Sequence, residues 1–399
     1  GSTLIPAMEK NGYTRKFAAA ITAASSVIGP IIPPSGIMII YAYVMGESVA
    51  ALFLAGIVPG VMVGVGLMVM VRLMADRYDL PKAERIVNKN QTISPVESVV
   101  SWFLIRINIA GLLYALSGLV TAVLPTAPSN WMIFLIALPI AHVITQAIKA
   151  RVSHDFRLVC KKAVAPLQTP IIILGGILAG VMTPTEASAV AVAYALIVSF
   201  LVLRSMNTGD LWQVLTKSAL STSAVLLLVG AAVSFKTVVS LSHAPEIMSE
   251  FILGLSENPL ILLFLINILL FIVGMFLDAG PAIIILGPIL GPIFVDLGVH
   301  PVHFAIIMSV NLTVGLATPP MGLVLFVAST VSGEKVETIA KAILPFLAVE
   351  VFVIFLITYV PAISMTVPYL TGFLGCGPAR RVIRNVRQLH ASCTVNQKQ

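Results

Sequence analysis

Residues Val49–Val71 run for 23 positions without one charged side chain. At ~1.5 Å per helical residue, such a run crosses the ~30 Å hydrocarbon layer of a bilayer. Further mostly apolar runs are Val99–Leu124, Trp131–Ile148, Ser218–Leu241, Leu260–Leu277 and Ile343–Val360. Leu167–Leu203 is too long for one span and is interrupted by Thr183-Pro184-Thr185-Glu186, so two helices joined by a tight turn are expected there. Only 10% of the 399 residues are charged, too few to cover a soluble surface, where about 25% is usual. Lipid obliges backbone polar groups to bond within the segment, which continuous apolar runs do as helices. The expected fold is an all-α polytopic membrane protein.

Two runs are too long for a straight helix and are rich in breakers. Phe17–Met45 holds Gly29-Pro30-Ile31-Ile32-Pro33-Pro34-Ser35-Gly36, and Phe304–Val331 holds Gly315-Leu316-Ala317-Thr318-Pro319-Pro320-Met321-Gly322. Gly, Pro-Pro and Gly recur at an offset of 286, with Gly12 matching Gly298. Each run leads to a polar patch, Gly46-Glu47-Ser48 or Ser332-Gly333-Glu334, and then to a long apolar helix. This is an internal repeat of Pro-broken helices, a mark of secondary transporters. Ala282–Leu297 is shorter and carries Gly287-Pro288 and Gly291-Pro292.

Charge sets the topology. With Gly12 and Arg72 inside, five crossings fall between Val99 and Leu241, and Leu260–Leu297 returns as a re-entrant hairpin. Glu47, Glu186, Glu246, Glu250, Glu257 and Asp296 then lie outside with no Lys or Arg ahead of Ile343, while 17 Lys and Arg lie inside. That is the positive-inside arrangement, and it makes the two broken segments inverted repeats. The net charge of +7 divides unevenly. Residues 376–399 carry Arg380, Arg381, Arg384, Arg387 and Lys398 without an acid, leaving 19 basic against 17 acidic residues elsewhere. The tail falls on the outer side, against the rule, and is taken as foreign to the fold. The chain opens Gly1-Ser2-Thr3 without Met, so it is expected to be a fragment.

A Pro within a helix removes an N–H and clashes with the preceding turn. Both Pro-Pro sites should unwind their helices, and unwound backbone at membrane depth survives only when buried or lining a wet cavity. Freed carbonyls there coordinate Na⁺, and half-helix N-termini face anions. The candidate ion-binding residues are Ser25, Ser26, Gly29 and Ser35 in the first segment and Asn311, Gly315, Thr318 and Gly322 in the second, with Thr313 nearby. Gly36 and Met321, with Asp278, are the candidate substrate-binding or hairpin residues. The other reading is a plain kink with no ligand. Asp278, between two apolar arms, either tunes an ion or substrate site or caps a helix.

Other polar residues carry less. Arg106 and Lys236 are expected to snorkel, and Glu350 to be paired or interfacial. Thr183 and Glu186 have the spacing of a capping box. His300 and His303 lie three apart with no third metal ligand in view, so no transition-metal site is expected. Cys160, Cys376 and Cys393 form no CxxC pair. Without a P-loop, a GxGxxG opening a helix or a Ser/His/Asp set, an enzyme is not expected. Basic residues are not interleaved with aromatics, so neither is nucleic-acid binding.

These residues resemble a family. Ser2-Thr3-Leu4-Ile5-Pro6-Ala7-Met8, Gly12-Tyr13, Phe17-Ala18-Ala19-Ala20 and Gly29–Ser35 are similar to the large membrane subunit of tripartite ATP-independent periplasmic (TRAP) transporters, the DctM-like family. So are Ala51–Gly60, Thr183–Ala187, Gly274–Asp278, Pro301–Phe304 and Gly315–Gly322. The resemblance covers about 1–75 and 155–374. It implies a bacterial inner-membrane, elevator-type, Na⁺-coupled importer of organic acids such as C4-dicarboxylates or sialic acid. Na⁺ is the coupling ion and no other cofactor is implied. The implied partners are a small four-helix membrane subunit and a periplasmic solute-binding protein.

The family pattern also divides the chain. Residues 1–48 would be the first broken helix of the transport domain and 49–75 a scaffold helix. Residues 76–154 would be a cytoplasmic linker with a two-helix insertion, and 155–258 arm and scaffold helices. Residues 259–333 would be the second-repeat hairpin and broken helix, 334–375 a scaffold helix and 376–399 the basic tail. The family's first hairpin and the insertion at about 94–150 are the departures from the pattern: the one is missing, the other added. The rival readings are another ion-coupled transporter or channel of inverted repeats without a binding protein, and a structural subunit without transport activity.

Overall fold

The computed structural model describes residues 1–76, 80, 93–121, 130–242, 250, 254, 256 and 258–373. Arg77, most of the linker, Glu246, Glu257, the side chain of Lys236 and the basic tail lie outside the described residues. All described regular structure is helical, and eight described helices are long and apolar enough to cross a membrane. The chain forms two compact units, residues 1–82 with 221–399, and residues 83–220.

The first unit opens with α1 (Leu4–Lys10), α2 (Arg15–Ser26), α3 (Gly36–Met45) and α4 (Val49–Met74). The gap between α2 and α3 is the first Pro-Pro break, as the missing N–H groups require. Ser35 restarts the chain: its Oγ accepts from the N–H of Met38 at 3.2 Å. Gly46 ends α3 in the left-handed region at φ 75°, where glycine alone is comfortable. Ser48 then caps α4 through the N–H of Ala51 at 3.3 Å.

The later part repeats this plan. After α9 (Thr208–Leu241), whose second half belongs to this unit, come α10 (Pro259–Phe276) and α11 (Ala279–Asp296), a helical hairpin turning at Leu277-Asp278. Then come α12 (Pro301–Gly315), the second Pro-Pro break, α13 (Leu323–Ser332), Gly333 at φ 72°, and the long α14 (Val336–Tyr359). So helix, break, helix, left-handed glycine and long helix occur twice. The second hairpin arm is a full 18 residues, because Asp278 caps it earlier than its prolines suggest. A short α15 (Ala362–Leu370) follows Pro361.

The core of this unit is α12. Every residue from Val302 to Gly315 is buried, as expected of a helix apolar on all sides. Around it α10, α11 and α14 pack, and α4 joins α15 and α14. Glycines set the closest approaches. A Cβ at Gly56 would stand 2.6 Å from the Ile31 carbonyl, and one at Gly60 would stand 2.3 Å from the Ile32 side chain. The Gly56-x-x-x-Gly60 face of α4 is thus where the first break nests. The outward residues Val61, Val65, Met68 and Leu73 of α4, with Phe264, Ile268 and Ile272 of α10, are exposed and form a lipid-compatible surface.

The second unit holds α5 (Pro95–Thr121), α6 (Asn130–Arg151), α7 (His154–Leu178), α8 (Pro184–Ile197) with a π-helical turn over Val198–Val202, and the first half of α9. Ala110, Ala137 and Ala141 let α5 and α6 close together. Tyr194 donates to the Ala165 carbonyl at 2.9 Å, fixing α8 on α7. The Thr183–Glu186 capping box forms, with both reciprocal bonds present. Arg106 does not snorkel. It is 7% exposed, sits 3.5 Å over the Trp102 ring and donates to Nδ1 of His142 at 3.1 Å. An aromatic face and an imidazole acceptor close by replace the trip to water.

Candidate functional site

Two crossings bring the hairpin tip to both breaks. On one side α10 meets the end of α12 with backbone against backbone: a Cβ at Gly315 would stand 2.6 Å from Gly274 Cα and 2.9 Å from the Phe271 carbonyl. On the other side α11 lies along α3. A Cβ at Gly280 would stand 3.7 Å from Ile40 Cδ1, one at Gly291 would stand 2.4 Å from Met45 Cε, and Val44 packs with Ile284. Leu277-Asp278 lies between these two contacts in the chain. The tip is therefore held between the helix entering the second break and the helix leaving the first.

The two breaks differ in character. In the second, Thr318 is buried and donates to the Val314 carbonyl at 2.9 Å, and Asn311 and Thr313 are buried too. Gly322 is tucked under its own turn, where a Cβ would stand 2.4 Å from the Leu316 carbonyl and 2.7 Å from that of Thr318. Met321 is exposed. In the first, Ser35 is buried and its hydroxyl donates to the Pro30 carbonyl. Ser25, Ser26, Gly29 and Gly36 are exposed, with Ser25 and Ser26 donating back to the carbonyls of Thr22 and Ala23 at 3.2 and 2.7 Å. Both Pro-Pro bonds are cis.

Asp278 is exposed and caps α11, its Oδ1 accepting from the N–H of Ala279 at 2.8 Å. Just past the end of α3 and at the start of α12, burial raises the carboxyl of Glu47 above the usual carboxylate range and lowers His300 below the usual histidine value. His300 caps α12, its Nδ1 accepting from the N–H of Val302 at 3.2 Å. His303 is buried and bonds through Nδ1 to Ser364 at 2.7 Å. The two histidines thus serve separate structural contacts.

A polar cluster lies in the core beside the second break. Asn311 Nδ2 donates to Asn267 Oδ1 at 2.6 Å, and Thr358 Oγ1 approaches the same oxygen at 3.1 Å. Asn267 Nδ2 donates to the Leu263 carbonyl at 2.8 Å. A cavity of about 150 Å³ adjoins them, lined by Asn267, Ile268, Phe271, Asn311, Val351, Ile354 and Phe355. Asn311 Oδ1 has no hydrogen-bond partner among the described residues. Sequence reasoning gave no role to Asn267, Gly274 or Thr358. The signal for two of them was present: Asn267 is the one hydrogen-bonding side chain in Leu260–Leu277, and Gly274 its one residue without a side chain.

Glu350 corrects the expectation for it. It is neither interfacial nor paired: its exposure is 0%, and neither carboxylate oxygen has a hydrogen-bond partner among the described residues.

The class of protein is now defined: a multi-pass, all-helical membrane protein whose first unit brings together two interrupted helices and a hairpin. Residues 1–363 match the family described as tripartite ATP-independent periplasmic transporter, DctM component, and the chain belongs to that family. The chain is 36% identical over 371 residues to the uncharacterized protein YgiK of Salmonella typhimurium, covering 93% of this chain and 70% of that protein. It is 35% identical over 365 residues to the isethionate TRAP transporter permease protein DctMQ of Oleidesulfovibrio alaskensis, covering 92% of this chain and 47% of that one. It is 32% identical over 372 residues to the C4-dicarboxylate TRAP transporter large permease protein DctM of Pseudomonas aeruginosa, covering 93% and 72%. The latter two relatives are named as permeases rather than enzymes, and the chain is a multi-pass protein of the bacterial inner membrane.

Proposed function

We propose that the chain is the transport subunit of a Na⁺-coupled, binding-protein-dependent secondary importer of organic acids: C4-dicarboxylates, sialic acid or similar carboxylates. The observation that carries this reading is the convergence of two interrupted helices on one hairpin tip. α3, α11 and α13 begin at the breaks or at the tip, and helix N-termini favour anions. Carbonyls freed by the Pro-Pro pairs are suited to Na⁺, with Ser25, Ser26, Gly29 and Ser35 at one site and Asn311, Gly315, Thr318 and Gly322 at the other. Asp278, Gly36 and Met321 stand where an acid would pass. Isethionate and C4-dicarboxylate in the names of two relatives agree with a small acid as cargo.

In this reading the segments are inverted repeats of an elevator-type transporter. Residues 1–48 and 259–333 move against scaffold helices at 49–75, within 155–258 and at 334–375. The linker with its insertion spans 76–154, and the basic tail 376–399. A small four-helix membrane subunit and a periplasmic solute-binding protein complete the system. Each net positive charge carried inward gains about 2.3 kcal/mol per 100 mV, enough to drive accumulation without ATP. Uptake of labelled C4-dicarboxylates or sialic acid into proteoliposomes holding the complete complex is the test. Uptake should stop when the Na⁺ gradient is collapsed; uptake that continues refutes the coupling.

A further inference from the structure

Glu350 stands 14 residues into α14, about 21 Å from its start, and so deep within a span of 24 residues. Its neighbours are fixed by two contacts. Phe346, one turn before it, meets Phe17 of α2 edge-on at 6.0 Å between centroids. Val349, the residue before it, stands 2.6 Å from where a Cβ on Gly66 of α4 would be. Beyond Phe17, α2 itself carries a run of small buried residues, Ala18, Ala19, Ala20, Ala23 and Ala24. Among the described residues, both carboxylate oxygens are without a hydrogen-bond partner.

No cation on the elements packed against α14 is placed to pair with it. On α2, Arg15 is bonded to Glu9, and Lys16 is exposed before the Phe17 contact. On α4, Arg72 is exposed six residues beyond Gly66, about 9 Å along the axis. On α12, His303 is engaged with Ser364 and lies near Thr358, eight residues from Glu350, about 12 Å along α14. α10 and α13 carry no titratable side chain, and Glu337 and Lys341 of α14 itself sit two or more turns nearer its start. An ionised carboxylate without partner or water is among the costliest groups to bury, and such a group neutralises instead. An ionisable side chain kept at this depth calls for a role.

We propose that Glu350 is a proton-binding site: it is held as the neutral acid in the arrangement described here. As the site closes, a hydronium ion of the surrounding water gives its proton to a Glu350 carboxylate oxygen, its own O–H bond breaking and leaving a water molecule as the acid's O–H bond forms. The proton returns to water when α14 and α2 part during transport. The first statement stands on the burial and the missing partners; the second rests on the transport reading above.

The test is infrared spectroscopy of the full chain in lipid bilayers, with ¹³C-labelled glutamate and Na⁺-free buffer. A protonated-carboxyl band should persist at pH 7, exchange slowly in heavy water and be lost in Glu350→Gln. Should that variant fail to fold, Glu350→Asp serves, by moving the band to an unlabelled position. In vesicles that take up a C4-dicarboxylate through the complete complex, the band should exchange at least tenfold faster than in resting vesicles. A wild-type spectrum without the band at pH 7 overturns the proton site, whatever the vesicles transport. A band removed by adding Na⁺ at fixed pH overturns it in favour of a cation site. Uptake with unchanged exchange overturns the release step and leaves the transport reading intact.

Discussion

Gly315→Ala tests whether the hairpin is held by backbone contact with α12. The added Cβ would stand 2.6 Å from Gly274 Cα, 2.7 Å from Gly274 C and 2.9 Å from the Phe271 carbonyl, where ordinary contact begins at 3.4 Å. The helices must therefore part by about 0.8 Å, and all three obstacles are backbone, which no rotamer change can move. Overpacking of this kind costs about 1–3 kcal/mol. In a helix interior Ala would gain about 1 kcal/mol over Gly, but Gly315 is the last residue of α12 and recovers less. A net loss of about 1–2 kcal/mol is expected, seen as a lower thermal midpoint in lipid or detergent. Transport should fall further than the folded fraction, because Asp278 is only four residues beyond Gly274 and shifts with it. Gly175→Ala is the control: it lies in α7 with nothing within 4 Å of an added Cβ, so it should be neutral or stabilising. A Gly315→Ala protein as stable and active as Gly175→Ala would refute the argument.

Asp278→Asn should keep the thermal midpoint, since Asn caps a helix as well as Asp, while Asp278→Ala loses about 1 kcal/mol. If the carboxylate serves the ion site, the Asn variant needs more Na⁺ for half-maximal uptake; unchanged Na⁺ dependence would assign Asp278 to the cap alone. His300 gives a pH dependence. Its value in the folded protein lies below the ordinary one of about 6.5, so its contribution to stability is complete above that pH. The contribution is lost as pH falls through the folded value, when the protonated Nδ1 can no longer accept from Val302. Glu47, raised by burial, acts in the opposite sense as acid neutralises it, so the difference between variants is the quantity to measure. His300→Asn keeps a cap without titrating, and its midpoint should fall less on acidification than that of the wild type; parallel curves would refute the assignment.

What could be seen in the sequence is what single residues enforce locally. Pro33-Pro34 and Pro319-Pro320 dictate interruptions whatever surrounds them. Gly46 and Gly333 mark helix ends, and the Thr183–Glu186 spacing forms its box from four consecutive residues. What depends on register between distant helices was out of reach. Asn267 and Asn311 are 44 residues apart and Gly274 and Gly315 are 41 apart, and nothing in either run says which turns meet. Arg106 shows the same limit. Its distance from the interface suggested snorkelling, but His142, 36 residues away, arrives on α6 to receive it.

The asymmetry between the breaks bears on how variants of each should be interpreted. Around the second break, polar groups are buried and largely occupied: Thr318 with Val314, Asn311 with Asn267, and Gly322 against two carbonyls. Removing a partner there leaves a desolvated donor or acceptor, which costs about 1–3 kcal/mol before any ion is considered. Loss of transport in such a variant is therefore ambiguous between ligand and fold. At the first break, Ser25 and Ser26 are exposed and bond only to carbonyls of their own helix, so deleting either hydroxyl strands nothing buried. A fall in Na⁺-dependent uptake on Ser25→Ala, with stability unchanged, would then speak for coordination. The repeat that looks less finished in the structure is thus the one where function can be separated from folding.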